Sequence, residues 1–408
     1  MRSHTNTHLQ PARGRPGGPV RTRASRALRA ARAVVLCALA AAAVPSAAAL
    51  ASVAPRTFAV APSPNASTSD NYLGEVACPA ARFCMAVGGD ARASGYATLA
   101  ERWTGGWAVS PTPNGRLPGN YLNSVSCSSA SFCMAVGITY LATTVDTLVE
   151  RWNGVAWQRV ASPDPGKVAS FAQSVSCASP TFCIAVGSKE NLLGVSSTFA
   201  ARWNGKAWST IATPNLGPVL NYLAGVACVS TTFCVATGYG AATTKVDPAA
   251  PLVERWNGTS FHVVAAPAAP GSNFLGRVAC ASAASCFAVG ISQNGAVNQT
   301  LVEHWNGAAW SITASPDAGV SNNQLSGVSC WSSRDCLATG NYLVAGTRRT
   351  LAVRWNGTTW ALEASPNRTT EDNALNGSAP LSGPSHAYVV VGYATSIGRE
   401  RTLVLSGR

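Results

Sequence analysis

Six cysteine pairs mark out a repeat along this chain. Their first members are Cys78, Cys127, Cys177, Cys228, Cys280 and Cys330, separated by 49, 50, 51, 52 and 50 residues, and the partners Cys84, Cys133, Cys183, Cys234, Cys286 and Cys336 each follow six residues later. The stretch Thr147–Gly187 contains every element of the unit: TLVERWNG, VAWQRVASP, a polar loop and SVSCASPTFCIAVG. Self-similarity at this period means that one supersecondary unit was copied, and units of this size with short apolar runs build propeller blades or solenoid coils.

Four strands fit into each unit. In the second they are Leu122–Cys127, Phe132–Gly137, Thr147–Trp152 and Trp157–Ala161, each rich in Val, Leu or aromatics and bounded by Gly, Pro, Asn or Ser. The apolar runs are nearly continuous, which suits sheets covered on both faces. Asn153-Gly154 joins the third strand to the fourth, and Asn204-Gly205, Asn257-Gly258, Asn306-Gly307 and Asn356-Gly357 repeat it, with Thr104-Gly105 the variant. Asn-Gly supplies the positive φ angles of a tight hairpin turn. The flanking aromatics, such as Trp152 and Trp157, read as packing between neighbouring units.

The segment RWNGTTW at Arg354–Trp360 resembles a degenerate Asp-box, the SxDxGxTW turn of the sialidase, sortilin and photosystem-assembly-factor propellers, and the AVG strand is similar to the second strand of those repeats. Asn stands where the box has its Asp. The box is a structural turn in those families, so the resemblance implies architecture from Thr57 onward and no catalytic residue. With its cysteines, the repeat resembles a class of exported bacterial propeller proteins.

Residues 1–51 contain eight Arg and no acid, then an Ala, Val and Leu run broken by Pro45 and ending in small residues around Ala47, Ala49 and Ala51. This reads as a secretory signal peptide with a basic leader, cleaved after Ala49 or Ala51, and not as a membrane anchor. Cys37 lies in the apolar run after Leu36, where a lipoprotein signal needs a small residue, and is expected to leave with the leader. Residues 52–408 are then a single secreted, extracellular domain. Eight of the 30 Lys and Arg go with the leader, leaving 22 against 17 acids and a net charge of +5 in place of +13. Scattered basic residues at that balance argue against a nucleic-acid partner, and no second apolar run is long enough for a membrane one.

Export to an oxidising compartment makes the six pairs disulfides within their own hairpins. The zinc alternative wants closer Cys spacing and more His, and only five His occur, so neither metal nor cofactor is expected. A loop of about seven residues makes each bridge worth on the order of 2 kcal/mol.

First strands start at Leu73, Leu122, Ala172, Leu223, Leu275, Leu325 and Leu375, giving seven units. The last is incomplete: Val389–Gly392 matches a second strand and Thr402–Leu405 a third, and the sequence stops without a fourth. Phe58–Pro64 has no unit before it and matches Trp107–Pro113. The fold expected is therefore all-β, a seven-bladed β-propeller whose N-terminal strand completes the last blade and leaves no open edge. Ser382 and Tyr388 stand at the Cys positions of that blade, which should open first.

Loops joining second to third strands, and fourth to first, vary in sequence; compare Gly194–Ser197 with Val246–Pro251. Variable loops on a repeated scaffold usually carry recognition. At the start of the first strands stand Asn71-Tyr72, Asn120-Tyr121, Ser170-Phe171, Asn221-Tyr222, Asn273-Phe274, Asn323-Gln324 and Asn373-Ala374. Two readings stay open. Either the Asn caps a loop and the ring plugs the gap between blades, or Asn71, Tyr72, Asn120, Tyr121, Phe171, Asn221, Tyr222, Asn273 and Phe274 form an aromatic and amide platform for a sugar or peptide. Glu101, Glu150, Glu254 and Glu303 recur beside Arg or His and read as a repeated ion pair. Asp146, Asp247 and Glu190 are unique but lack a placed partner, so no catalytic residue is assigned. The expectation is a monomeric binding or scaffold propeller for an extracellular glycan or protein, with a carbohydrate-active hydrolase on the same ring as the alternative.

Overall fold

A computed structural model describes residues 57–92, 95–114, 119–166, 168–241, 248–383 and 386–407. The expected leader, the segment up to residue 56 and the first two residues of the Val246–Pro251 loop lie outside them. The described residues form 28 strands and no helix. They make five separate four-stranded antiparallel sheets and one eight-stranded sheet, in which units two and three are joined by a single parallel bridge, Val145 to Ala169.

Unit two shows the pattern: Asn120–Ser129, Phe132–Tyr140, Val145–Trp152 and Trp157–Val160, each antiparallel to the one before. The first three run longer than the apolar pattern suggested, because the ladder continues through polar residues at their ends. Second strands are buried almost throughout, as in Phe83–Asp90, since each lies inside its sheet with a neighbouring sheet on either face. The core is correspondingly divided into clusters between units; Met85 and Val87 of unit one pack with Leu122, Val125 and Leu148 of unit two.

The register explains the recurring AVG. Leu122 pairs with Gly137 and Ser124 with Val136, so Asn123 bulges out of the ladder, and the same shift recurs in every unit. A Cβ on Gly137 would lie 1.9 Å from the Tyr121 carbonyl oxygen, so only glycine fits there. The Asn-Gly turns work differently from expectation. Positive φ falls on the glycine alone (+97° at Gly154), while Asn153 Oδ1 accepts the N–H groups of Val155 at 3.0 Å and Ala156 at 2.9 Å.

All six disulfides form within their hairpins, and five of them join residues paired directly opposite in the ladder, as Cys127 is to Cys133. In the seventh unit the register corrects one alignment. Pro380, not Ser382, lies opposite Tyr388, because the turn between them is two residues longer than in the other hairpins. In place of a bridge, the Tyr388 hydroxyl donates to the Asp335 carbonyl of unit six at 3.0 Å, and Trp331 Nε1 donates to Ala387 O at 3.1 Å.

The first strands touch one another in chain order, and Asn373–Leu381 touches Asn71–Ala80, so the sheets close a circle. Phe58–Ala61 pairs antiparallel with Arg399–Gly407, supplying the missing fourth strand. The loop that follows is pinned to the same sheet: the Arg401 guanidinium donates to the carbonyls of Ser67, Thr68 and Ser69, and Thr402 N–H to Asn65 Oδ1.

Candidate binding site at the channel mouth

The circle of first strands encloses a channel. Its lower part, a cavity of ≈ 320 Å³, is lined by Val76, Val125, Val175, Val226, Val278 and Val328 with the small residues around them. Hydroxyls tie neighbouring strands together there: Ser126 Oγ accepts the N–H of Cys177, and Ser176 Oγ that of Cys228, both at 2.9 Å.

Two charged residues interrupt this small-residue wall. The bulge places Glu75, Ser124, Ser174, Gly225, Arg277, Gly327 and Gly377 at one level. Arg277 reaches across it, donating from Nη1 to the carbonyls of Gln173 and Ala224 and from Nη2 to that of Asn123, each at 3.0 Å, with Nε 3.5 Å from Glu75 Oε2. One guanidinium thus joins strands from five units. Burial pushes the Glu75 carboxyl up to about 7 against the opposing pull of Arg277. No sequence signal pointed to this pair, because residues 75 and 277 lie four units apart.

Above Arg277 the first strands begin at the loop-bearing mouth. The asparagines there are buried and their amides engaged. Asn221 Oδ1 accepts from Leu216 N–H at 2.7 Å and Gly217 N–H at 3.1 Å, and its Nδ2 donates to Gly217 O at 2.7 Å. Asn71 and Asn273 hold the preceding loop in the same way, while Asn120 Oδ1 accepts from Thr139 Oγ1 at 2.8 Å. These amides shape loops.

Tyr72, Tyr121, Phe171, Tyr222 and Phe274 are instead half-buried. Tyr121 lies between Tyr96 and Tyr140, with ring centroids 6.4 and 6.0 Å away, and its hydroxyl is 3.4 Å from that of Tyr140. Tyr222 stacks on Tyr239 at 5.2 Å, which meets Phe274 edge-on at 4.9 Å. Tyr96 and Tyr140 are 45% and 43% exposed. These two and Tyr239 were missed by the sequence reading because they stand at the outer ends of second and third strands, where units do not align. Burial, then neighbouring phenols, pushes Tyr72, Tyr121 and Tyr222 above the usual phenol range, so they remain neutral hydroxyl donors. Beside Phe274 and Tyr239 a recess of ≈ 260 Å³ descends to Arg277. Rings that offer apolar faces and neutral hydroxyls suit an uncharged polar ligand.

The repeated glutamates are not ion pairs. Glu101, Glu150, Glu254 and Glu303 are fully buried, and the first two reach the preceding unit: Glu150 accepts from Thr98 Oγ1 at 3.3 Å and Glu101 from Ser63 Oγ at 2.7 Å. Alternation along the strand turns the adjacent Arg the other way; Arg102 lies over Trp152 of the following unit. Among the described residues, neither oxygen of Glu254 or of Glu303 has a hydrogen-bond partner. Burial pushes Glu101 and Glu150 up to about 7 and Glu254 and Glu303 up to about 8.

No family model and no curated protein matches the sequence. Solved structures do match the fold. YCF48 bound to D1 peptide superposes with a TM-score of 0.51 at 12% identity, over 86% of this chain and 96% of that one. The GH74 xyloglucanase from Xanthomonas campestris gives 0.54 at 13% identity over 84% of this chain, which spans 54% of the enzyme. A mutant of the Aleuria aurantia lectin in complex with Fucα1-6GlcNAc gives 0.45 at 14% identity, covering 74% of this chain and all of the lectin. The circle of four-stranded antiparallel sheets around a channel is thus the β-propeller architecture.

Proposed function

We propose that this chain is a secreted, monomeric, seven-bladed β-propeller that recognises an extracellular glycan or protein through the aromatic mouth of its channel. In this reading each sequence unit is one blade, the bridge between Val145 and Ala169 is a local contact between two blades, and Phe58–Ala61 completes the seventh. Six disulfides fit an oxidising compartment, and no helix among the described residues is long and apolar enough to cross a membrane. The observation that carries the proposal is the pair of half-exposed ring clusters at the mouth, around Tyr121 and around Tyr239. Tyr72, Tyr121, Phe171, Tyr222 and Phe274 present the rings; Asn71, Asn221 and Asn273 fix their loops, and Asn120 ties the strand start to Thr139. The matched solved structures include a peptide complex, which is consistent with binding as a use of this fold.

A hydrolase is the second reading, favoured by the Glu75 carboxyl raised to about 7 inside the channel. Glycoside hydrolysis uses two carboxyl groups roughly 5–9.5 Å apart. Among the described residues lining the channel, Glu75 has Arg277 beside it and no second acid. The binding reading therefore comes first. The test is a glycan array and a peptide array probed with the mature chain, followed by product analysis on every glycan captured. Capture without turnover is expected; capture of nothing on either array overturns the proposal, and released sugar transfers the site to the hydrolase reading.

A further inference from the structure

On the face opposite the mouth, each of the first six blades presents an aromatic pair where its third strand ends and its fourth begins, and in blades two to six the preceding blade covers it. Phe83 packs on Trp152 and Trp157, Phe132 on Trp203 and Trp208, Phe182 on Trp256 and Phe261, and Phe233 on Trp305 and Trp310. These phenylalanines all stand one residue before the second Cys of their pair. Where that residue is Ser285, Phe287 fills in, stacked on His304 at 4.3 Å and in contact with both Trp355 and Trp360.

At the seam between the sixth and seventh units Asp335 stands at the phenylalanine position and Gly407 and Phe58 replace the pair; among the seams that present an aromatic pair, the one between the seventh and first units is the exception. The register puts Ala387 at the phenylalanine position: it lies opposite Leu381 at the hairpin end, as Phe83 lies opposite Ala80. The pair it faces is Trp103 and Trp107, which are part-exposed, whereas Trp152 and Trp203 are buried. A cavity of ≈ 530 Å³ results, walled by the two indoles and by Leu381, Ala387, Val389 and Val404. None of its described lining residues is charged. The turn at its rim, Thr104-Gly105-Gly106, is one residue shorter than the Asn-Gly turns and carries no side chain beyond Thr104, so this side of the rim adds little bulk over the opening.

The volume falls within the range of small-molecule sites, and apolar cavities of this kind take up aromatic guests. We propose that this seam is a binding site for a small molecule bearing one phenyl or phenol ring, seated against Trp103 and Trp107 as Phe83 is seated against Trp152 and Trp157. The blades with Phe at this position supply the occupant's chemistry. The site is independent of the mouth, and its ligand need not be a sugar or a peptide.

The test uses the disulfide-intact mature chain with p-cresol, indole and N-acetylphenylalanine amide as probes in calorimetric titrations, the amide standing for a phenylalanine on a peptide. At least one probe should bind with a dissociation constant on the order of 1 mM or below. Ala387→Phe, which restores the residue of the other blades, should weaken that binding at least tenfold and raise Tm by a few degrees. Ala387→Leu fills part of the space and serves if the larger ring is not accommodated; it should weaken binding several-fold. Binding by the amide alone, lost in the filled variant, assigns the site to a peptide-borne ring. Failure of all three probes to bind, or binding unchanged in both variants, overturns the proposal.

Discussion

Replacing Glu254 by Gln should stabilise the protein at pH 8 and leave it nearly unchanged at pH 4. Glu254 is 0% exposed, neither of its oxygens is hydrogen-bonded by any described residue, and burial lifts its carboxyl from 4.5 to about 8. Because the folded value is the higher, the folded chain keeps a proton that the unfolded chain releases between those two values. Stability is therefore greatest below pH 4.5 as far as this group is concerned, and falls as pH rises toward 8, by up to about 1.4 kcal/mol per unit. The full span amounts to roughly 5 kcal/mol. Gln has the same shape, never ionises and is already close to the neutral acid in polarity. The assay is urea unfolding of wild type and variant at pH 4, 6 and 8 with disulfides intact; taking the difference at each pH removes the contribution of every other group. A gain of about 2–5 kcal/mol at pH 8 and near zero at pH 4 is expected. A difference independent of pH, or a loss at pH 8, would refute the buried-acid argument and put a cation or ordered water beside Glu254.

Deleting residues 52–64 should strip the last blade of Phe58–Ala61 and expose Arg399–Gly407 as a free edge, giving aggregation or a large fall in Tm; melting like the intact mature chain would mean that the circle closes otherwise. Arg277→Ala should cost roughly 3 kcal/mol or more, since it leaves Glu75 without its cation and three channel carbonyls without their donor, and Glu75→Gln should cost less. Peptide mapping of unreduced protein should recover only hairpin bridges, and a bridge between blades would contradict the register.

Much of this architecture was legible because a copied unit reports its own structure many times over. The Cys spacing fixed the hairpins, and the orphan Phe58–Pro64 found its place by matching Trp107–Pro113. The failures have physical causes. Glu101 and Arg102 are adjacent on a strand and so face different units, which defeats the ion pair that adjacency suggested. Glu75 and Arg277 meet only because the circle closes. Ser382 was matched by counting from Tyr388, and only the ladder shows that the longer turn puts Pro380 there instead. The vacancy at Ala387 follows from that same register. At the mouth, Asn71, Asn221 and Asn273 hydrogen-bond loop backbone and Asn120 the Thr139 hydroxyl, and the rings gain partners, Tyr96, Tyr140 and Tyr239, from segments that do not repeat.

The central claim, that the mouth rings bind a ligand, is tested most directly by measuring melting and affinity together on Tyr72→Ala, Tyr121→Ala and Tyr222→Ala, using whichever glycan or peptide the arrays return. The account predicts at least a tenfold loss of affinity, with Tyr121→Ala nearly unchanged in Tm because that ring packs mainly on the exposed Tyr96 and Tyr140. Unchanged affinity in all three, with stability lowered by roughly 3 kcal/mol or more as for core truncations, would contradict it and make these rings plugs between blades.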